Sequence, residues 1–357
     1  MSIIKKRLNI GIDIGSSSIK IVGIKKTKKF PVLEFFRAID LYDDGHIRNP
    51  EEISNTILSD ILLELKYELD IRKDRVNVSL SGPQTYLYNL EIPDLSHNEI
   101  MQAIQWQLKS IVPWEIDRVE LDYYPIPLKN AYQNQKRIIL AVAERDKLAK
   151  YLSIFSNIGL ETGIIELDCL ALYNCFEFFE EKEKLKSNII VNIGAYSSNC
   201  VACHPDGNLY FRNLEFGGAI INKVIQESLN LTYIEAEHIK RATNLTQILK
   251  NFQLQQWYKV KDNLLESFER FCFELDQFIK FFQAKENVEQ IDTIYLAGGT
   301  MKMQSLLSLM QNHLQIPIVR WSPVKYLQIN WLRNNAELID NYKYQMPVCL
   351  GTALRND

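Results

Sequence analysis

A cluster near the start of the chain, Asp13, Gly15, Ser16, Ser17, Ser18 and Lys20, has the residue types that hold a phosphate chain. Backbone N–H groups at a glycine turn, three hydroxyls and an ammonium all donate to phosphate oxygens. An acid just ahead of them, Asp13, suits a Mg²⁺ ion or its water shell. Alone, the stretch reads equally well as the polar tip of a hairpin. The pattern then recurs at Asn192, Gly194, Ala195 and Ser197. Asp13 aligns with Asn192 and Gly15 with Gly194, both at an offset of 179 (192−13 and 194−15), about half of 357. A phosphate-type turn repeated at half length implies two similar lobes facing each other, with a polyphosphate gripped between the turns.

Periodicity gives the framework around these residues. Ile10, Ile12 and Ile14 alternate, Gly15 breaks the pattern, and Ile19 and Ile21 resume it. That is strand, tight turn, strand. Residues 8–42 read as a meander. A helix is expected from Asn49-Pro50 with the stripe Ile53, Ile57, Leu58, Ile61, Leu62, Leu65. Val76 to Pro83 is a strand ending in a turn. Residues 84–150 read as a small insert. It holds a strand at Tyr86–Ile92, a helix with Ser96 and Glu99 as capping box, strands at about 119–126 and 137–143 flanking a loop from Lys129 to Gln135, and a helix from about Asp146 to Asn157. Residues 151–187 return to the first lobe. Residues 188–357 form the second, with Gly217-Gly218 opening a helix, 244–258 without a firm pattern, and a long helix at about 260–284. There, Ile291–Leu296 reads as a strand closed by Ala297-Gly298-Gly299-Thr300.

Composition narrows the function. Hydrophobic content of 46%, charged content of 24% and a net charge of -3 describe a soluble globular protein with no basic excess for nucleic acid. Six scattered cysteines show no disulfide framework. Asp13 interrupts the apolar segment that follows Lys5-Lys6-Arg7, so no export signal is expected, and no run is long enough to span a bilayer. Cys200-Val201-Ala202-Cys203-His204 has haem-attachment spacing, yet residues three apart on a strand point to opposite faces. No Walker A motif occurs. Trp106, Trp114, Tyr123 and Tyr124 cluster in or beside the insert, either as its own core or as the lining of a peptide groove.

In this order the pieces resemble the actin, Hsp70 and sugar-kinase superfamily. That resemblance implies an α/β, actin-like (ribonuclease H-like) two-lobed fold with duplicated α/β domains and a small α+β insert. More closely, LSHNEIMQAIQWQLKSIVPWEIDRVELDYYPI and NLEFGGAIINKVIQESLNLTYIEAEHIK resemble segments of the PilM family of actin-like type IV pilus assembly proteins. The resemblance implies that Gly15, Ser16, Ser17, Ser18 and Lys20 hold the phosphates of ATP or ADP with Mg²⁺ near Asp13, and that Asn192, Gly194, Ala195 and Ser197 close from the other lobe. It puts Gly217, Gly218, Glu237 and Lys240 near ribose and base, and Gly298, Gly299 and Thr300 near the adenine and α-phosphate.

One residue departs from the family pattern. The second turn usually begins with Asp, and Asn192 carries no charge and cannot act as a general base. ATP binding with slow or absent turnover is therefore expected. In the family, the cytoplasmic N-terminal tail of the inner-membrane protein PilN docks between insert and first lobe. The resemblance thus implies a cytoplasmic scaffold, peripheral to the inner membrane through partners and without direct membrane insertion, that links a PilN-type tail to the pilus assembly ATPase and platform and is open to self-association. Two alternatives remain: a small-molecule kinase of the superfamily, and an FtsA-like filament protein. FtsA ends in an amphipathic membrane helix, whereas this sequence stops at Asp357 after its last expected helix.

Overall fold

The alternating isoleucines form the expected hairpin. In the computed structural model, β1 (Asn9–Ile14) and β2 (Ser18–Lys25) pair antiparallel with Asp13 opposite Lys20. The structure describes residues 8–27, 30–41, 54–71, 75–82, 85–93, 95–109, 112, 114–126, 135–241 and 253–355. β3 (Val32–Asp40) continues the meander. The expected helix start at Asn49-Pro50 and Ile53 lies outside the described residues, as do Pro83 and most of the loop from Lys129. The described helix α1 (Asn55–Glu68) follows Ser54, whose hydroxyl accepts from the N–H of Ile57. β4 (Val76–Leu80) then lies parallel to β1.

The insert is a three-stranded antiparallel sheet. Its strands β5 (Thr85–Pro93), β6 (Val119–Ile126) and β7 (Gln135–Glu144) run in the order β5-β7-β6. Helix α2 (His97–Leu108) covers one face through Ile100, Ile104 and Leu108. Trp114 and Tyr123 pack on that core, while Trp106 and Tyr124 stay exposed. Helix α3 (Arg145–Asn157) turns away from the insert and buries Ile154 and Phe155 among Ile10, Ile12 and Leu62 of the first lobe. β8 (Thr162–Leu167) completes that lobe's sheet beside β4.

Helix α4 (Asp168–Phe179) leads into the second lobe. There, β9 (Asn188–Ile193), β10 (Ser198–Cys203) and β11 (Leu209–Leu214) repeat the meander. Helices α5 (Gly218–Leu229), α6 (Tyr233–Arg241) and α7 (Leu254–Glu286) follow, and then β12 (Thr293–Ala297) lies parallel to β9 as β4 does to β1. The half-length repeat is thus a repeat of topology. Helix α8 (Gln304–Leu314) and edge strand β13 (Ile318–Arg320) close the sheet, whose order is β11-β10-β9-β12-β13. α7 starts six residues earlier than its stripe predicts (260−254), because Gln253 and Gln256 form a capping box ahead of it. Its stripe Phe268, Phe271, Phe278 and Phe282 is core, as expected.

The tail of the expected second lobe crosses back. β14 (Gln328–Ile329) pairs with β3 at the edge of the first sheet, whose order is β14-β3-β2-β1-β4-β8. Helix α9 (Ala336–Tyr342) sets Ile339 and Tyr342 against the shared core. The last helix, α10 (Pro347–Leu354), buries every one of its residues against α4 and β1. A helix apolar on all sides needs burial on all sides. Only the seam between the sheets supplies it, where Val22, Ile190, Val201 and Leu350 share one core. On β10, Cys200 joins the outer second-lobe core and Cys203 the seam, so the two thiols do point apart.

Gly351 permits the fit, since a Cβ there would lie 1.8 Å from the backbone oxygen of Ala171 on α4. Gly351→Ala is expected to cost at least about 1–3 kcal/mol through overpacking. Thermal unfolding checks this, with a midpoint several degrees below that of the parent chain; an unchanged midpoint contradicts the seam packing.

Candidate functional site

The first hairpin brings Asp13 and Lys20 to the same face as a directly opposed pair. Lys20 Nζ lies 3.0 Å from Asp13 Oδ2, and Ser79 Oγ donates to Asp13 Oδ1 at 3.2 Å. Both members of the pair are buried. The lysine expected to hold phosphate is therefore committed first to Asp13, and it reaches the turn only through the Ser18 carbonyl at 3.4 Å. Within the turn, the Gly15 N–H donates to the Ser18 oxygen at 3.1 Å. Ser16 is exposed and Ser17 half-buried, and Ser18 Oγ is buried with no hydrogen-bond partner. An orphaned buried hydroxyl beside a glycine turn fits an oxyanion ligand that supplies the missing acceptor.

The second hairpin copies this geometry without its charges. Asn192 stands opposite Asn199, which occupies the place of Lys20 (199−20 is again 179). The Gly194 N–H donates to the Ser197 oxygen at 3.1 Å, as Gly15 does to Ser18. Other expected residues gather around it. The Gly194 oxygen accepts from the Gly218 N–H at 3.1 Å and from Thr300 Oγ1 at 2.9 Å, and the Ala195 oxygen accepts from Ala219 at 2.7 Å. Gly217, just ahead of α5, packs on the Ala195 backbone. Gly298 sits at φ 97°, where a Cβ would lie 2.2 Å from the Ile193 oxygen; only glycine suits both the conformation and the contact. Gly299 faces the Gln345 side chain.

Lys240 and Glu237 join the same neighbourhood from α6. Lys240 Nζ is 2.6 Å from Glu237 Oε2 and 3.4 Å from the Gly218 oxygen. Asn222 Nδ2 and Arg241 Nε each donate to Glu237 at 2.6 Å. Burial pushes the Glu237 carboxyl up, but the charge of Lys240 and these hydrogen bonds together hold it below its usual value. Arg241 also reaches across to Asp40 Oδ2 on β3 at 2.6 Å, an ion pair between the lobes.

Asp168 was not among the expected residues. It opens α4, where its Oδ1 accepts from the Cys169 N–H at 2.9 Å and its Oδ2 accepts from Asn199 Nδ2. Burial pushes its carboxyl up to about 7; the negative charge of Asp13 adds to that, while the Asn199 hydrogen bond and the charge of Lys147 oppose it. Asp168 thus touches one hairpin and feels the other. No motif spacing marks it; the one sequence signal is an acid at a strand-to-helix junction.

A Mg²⁺ ion finds few direct ligands from the chain. Both Asp13 oxygens already accept hydrogen bonds. Among the described residues no group of three or more His, Cys, Asp or Glu side chains is placed to hold a metal. Among the described residues, too, no helix is long and apolar enough to cross a membrane.

Comparison with known proteins places the chain in a family. The model described as "Type IV pilus assembly protein PilM" matches residues 11–357. The solved structure of a "PilM-PilN type IV pilus biogenesis complex" is similar at 22% identity and TM-score 0.81, over 98% of this chain and 98% of that one. The ethanolamine utilization protein EutJ from Carboxydothermus hydrogenoformans is similar at 13% identity and TM-score 0.53, over 98% of this chain and 90% of that one. The expected actin-like fold is the fold found.

The raised Asp168 carboxyl makes stability depend on pH. Its folded-state value near 7 lies above the 3.8 of an exposed aspartate. Between the two, the folded state holds a proton that the unfolded state has lost, so this group's contribution to stability falls as pH rises and is least above about 7. Asp168→Asn should therefore gain stability over the parent at pH 8 and lose that gain towards pH 5. Thermal unfolding across this range reads the difference; a flat difference contradicts the assignment.

Proposed function

Because this chain belongs to the PilM family of type IV pilus assembly proteins, we propose that it is an ATP-binding scaffold of pilus biogenesis. Its two turns grip the phosphates of ATP or ADP, and its insert side takes the cytoplasmic N-terminal tail of a PilN-type inner-membrane protein. The chain works in the cytoplasm, is held at the inner membrane through that tail, and links it to the assembly ATPase and platform. The carrying observation is the reach of the family match, which spans both lobes and the insert. A nucleotide-binding fold alone would not require the insert. The relative solved as a PilM-PilN complex supports the choice of partner. Gly15, Ser16, Ser17 and Ser18 face the phosphates from one lobe, and Gly194, Ala195 and Ser197 from the other. Lys20 acts through Asp13 and the turn backbone. Gly217, Gly218, Glu237, Lys240, Gly298, Gly299 and Thr300 frame the nucleoside.

A second reading rests on Asp168. A carboxyl titrating near 7 between two phosphate turns is suited to take a proton from an attacking water. In that reading the chain hydrolyses ATP slowly, and Asp168 supplies the base that Asn192 cannot. Phosphate release from ATP would then fall to background in Asp168→Asn; equal release from parent and variant removes this reading.

Two binding measurements test the main proposal. Calorimetric titration of the nucleotide-free protein with a synthetic peptide of the PilN-type tail should give one-to-one binding, and no heat at millimolar peptide would overturn the partner assignment. A Cβ at Gly218 would lie 3.0 Å from Lys240 Nζ and 3.3 Å from Thr300 Oγ1, so a larger side chain fills the crevice. Gly218→Val should weaken ATP binding at least about tenfold and leave peptide binding intact. Unchanged ATP affinity would contradict the placement of the nucleoside.

A further inference from the structure

The insert belongs by chain connectivity to the first lobe, yet it is bolted to the second. Arg137 on β7 sends Nη1 to Glu286 Oε1 at 2.8 Å and Nε to Glu91 Oε1 on β5 at 3.2 Å. Glu286 is the last residue of α7, and second-lobe groups hold it in place: Asn208 Nδ2 donates to Oε2 at 2.8 Å, and the Tyr210 hydroxyl donates to Oε1. Its side chain is 7% exposed. A carboxylate so enclosed, with every partner satisfied, has one geometry rather than many. Beside it, Asn89 of β5 donates to the Leu209 oxygen of β11. Leu87, Ile126 and Ile139 of the insert pack with Leu209 and Phe211 in the shared core.

The other end of this attachment lies at the second phosphate turn. Ser198 Oγ, at the start of β10, donates to the Phe216 oxygen at 2.7 Å. Phe216 precedes Gly217-Gly218 and stacks on Phe271 of α7, centroids 4.4 Å apart, with Phe268 edge-on at 5.9 Å. α7 has 33 residues, so it is about 50 Å long at 1.5 Å per residue. From Phe271 to Glu286 it runs as one unbroken helix with Leu275, Phe278 and Phe282 buried along it. A continuous chain of packed groups therefore joins the Gly194–Ser198 turn to the insert: Ser198, Phe216, Phe271, the helix, Glu286, Arg137.

The insert also has a separate hold on the first lobe through Leu80, Ala143 and Leu167, which form their own small core. It thus bridges the two lobes, with Arg137 bonded to the second and Ala143 packed on the first. The geometry points to α7 as a lever, with Arg137 and Glu286 as the coupling through which nucleotide between the lobes changes the affinity of the insert-side groove for its peptide. This rests on the proposed function for the identity of both ligands and adds the route between them. Arg137 and Glu286 are cast as positioning residues that act through α7, because the partners the structure gives them are each other, Glu91, Asn208 and Tyr210. Because coupling is reciprocal, peptide must change nucleotide affinity by the same factor.

The test measures peptide affinity without nucleotide and with saturating ATP and Mg²⁺, in the parent chain and in Arg137→Gln and Glu286→Gln. In the parent the two affinities should differ about fivefold or more, the usual scale of coupling between sites. In each variant both ligands should still bind, with the ratio reduced to within about twofold of one. A purely structural role would weaken both ligands or unfold the chain without abolishing the ratio. Hydrogen exchange on the unaltered chain gives an independent reading, in which adding ATP and Mg²⁺ alone should alter protection in β5 and β7. The lever is overturned by a parent ratio of one, by a ratio that survives in the variants, or by insert strands that ignore nucleotide. Absence of peptide binding to the parent would instead overturn the partner assignment, and the exchange arm would still decide on the lever.

Discussion

The fold depends on one packing constraint, the burial of α10 on all its faces. An eight-residue helix with no polar face cannot sit on a surface. It is pressed between α4 and β1, where Gly351 meets the Ala171 backbone and Gly11 meets the Cys349 backbone too closely for any side chain. The result is one shared core in which residues of both sheets touch. The two lobes are joined through this common core. α4, which begins at Asp168, runs between them. The site geometry follows from this seam: the two glycine turns, the carboxyl between them, and the cross-lobe pair of Arg241 with Asp40.

The two turns are matched in backbone and unmatched in charge. On the first, Asp13 and Lys20 neutralise each other in a buried pair 3.0 Å apart. On the second, Asn192 and Asn199 stand in the same two places with no charge at all. Breaking a buried pair by removing one partner costs about 3–5 kcal/mol, because the other charge is left uncompensated. The first turn therefore has a buried charge pair at its base, and the second receives backbone hydrogen bonds from Gly218 and Ala219. The only carboxyl pushed towards neutral pH beside both turns is Asp168, among the described residues. Glu166, which is pushed to about 7 as well, lies on β8 and bonds to Asn174 rather than to either turn.

Much of this was legible from order and spacing. The alternating isoleucines, the glycine that ends them and the hydroxyls that follow specify a hairpin locally, and its half-length echo specifies the second. The phenylalanine stripe of α7 is visible because helical period and apolar type coincide over many turns. What stayed hidden depends on contacts far apart in sequence. Arg137 and Glu286 are separated by 149 residues, and Arg241 and Asp40 by 201. β14 is two residues long, too short for any period to show. Asp168 carries no motif, because its role comes from where α4 is laid rather than from its neighbours. The commitment of Lys20 to Asp13 needs the hairpin register, which residue types alone leave open.

In the proposed function, two turns from two lobes close on one polyphosphate. The most direct measurement is a crystal structure of the chain with a non-hydrolysable ATP analogue and Mg²⁺. Phosphate oxygens are expected within hydrogen-bond reach of backbone N–H groups in both 15–18 and 194–197, with the ribose against Gly217-Gly218. A nucleotide bound to one lobe alone, or phosphates outside both turns, would contradict that function.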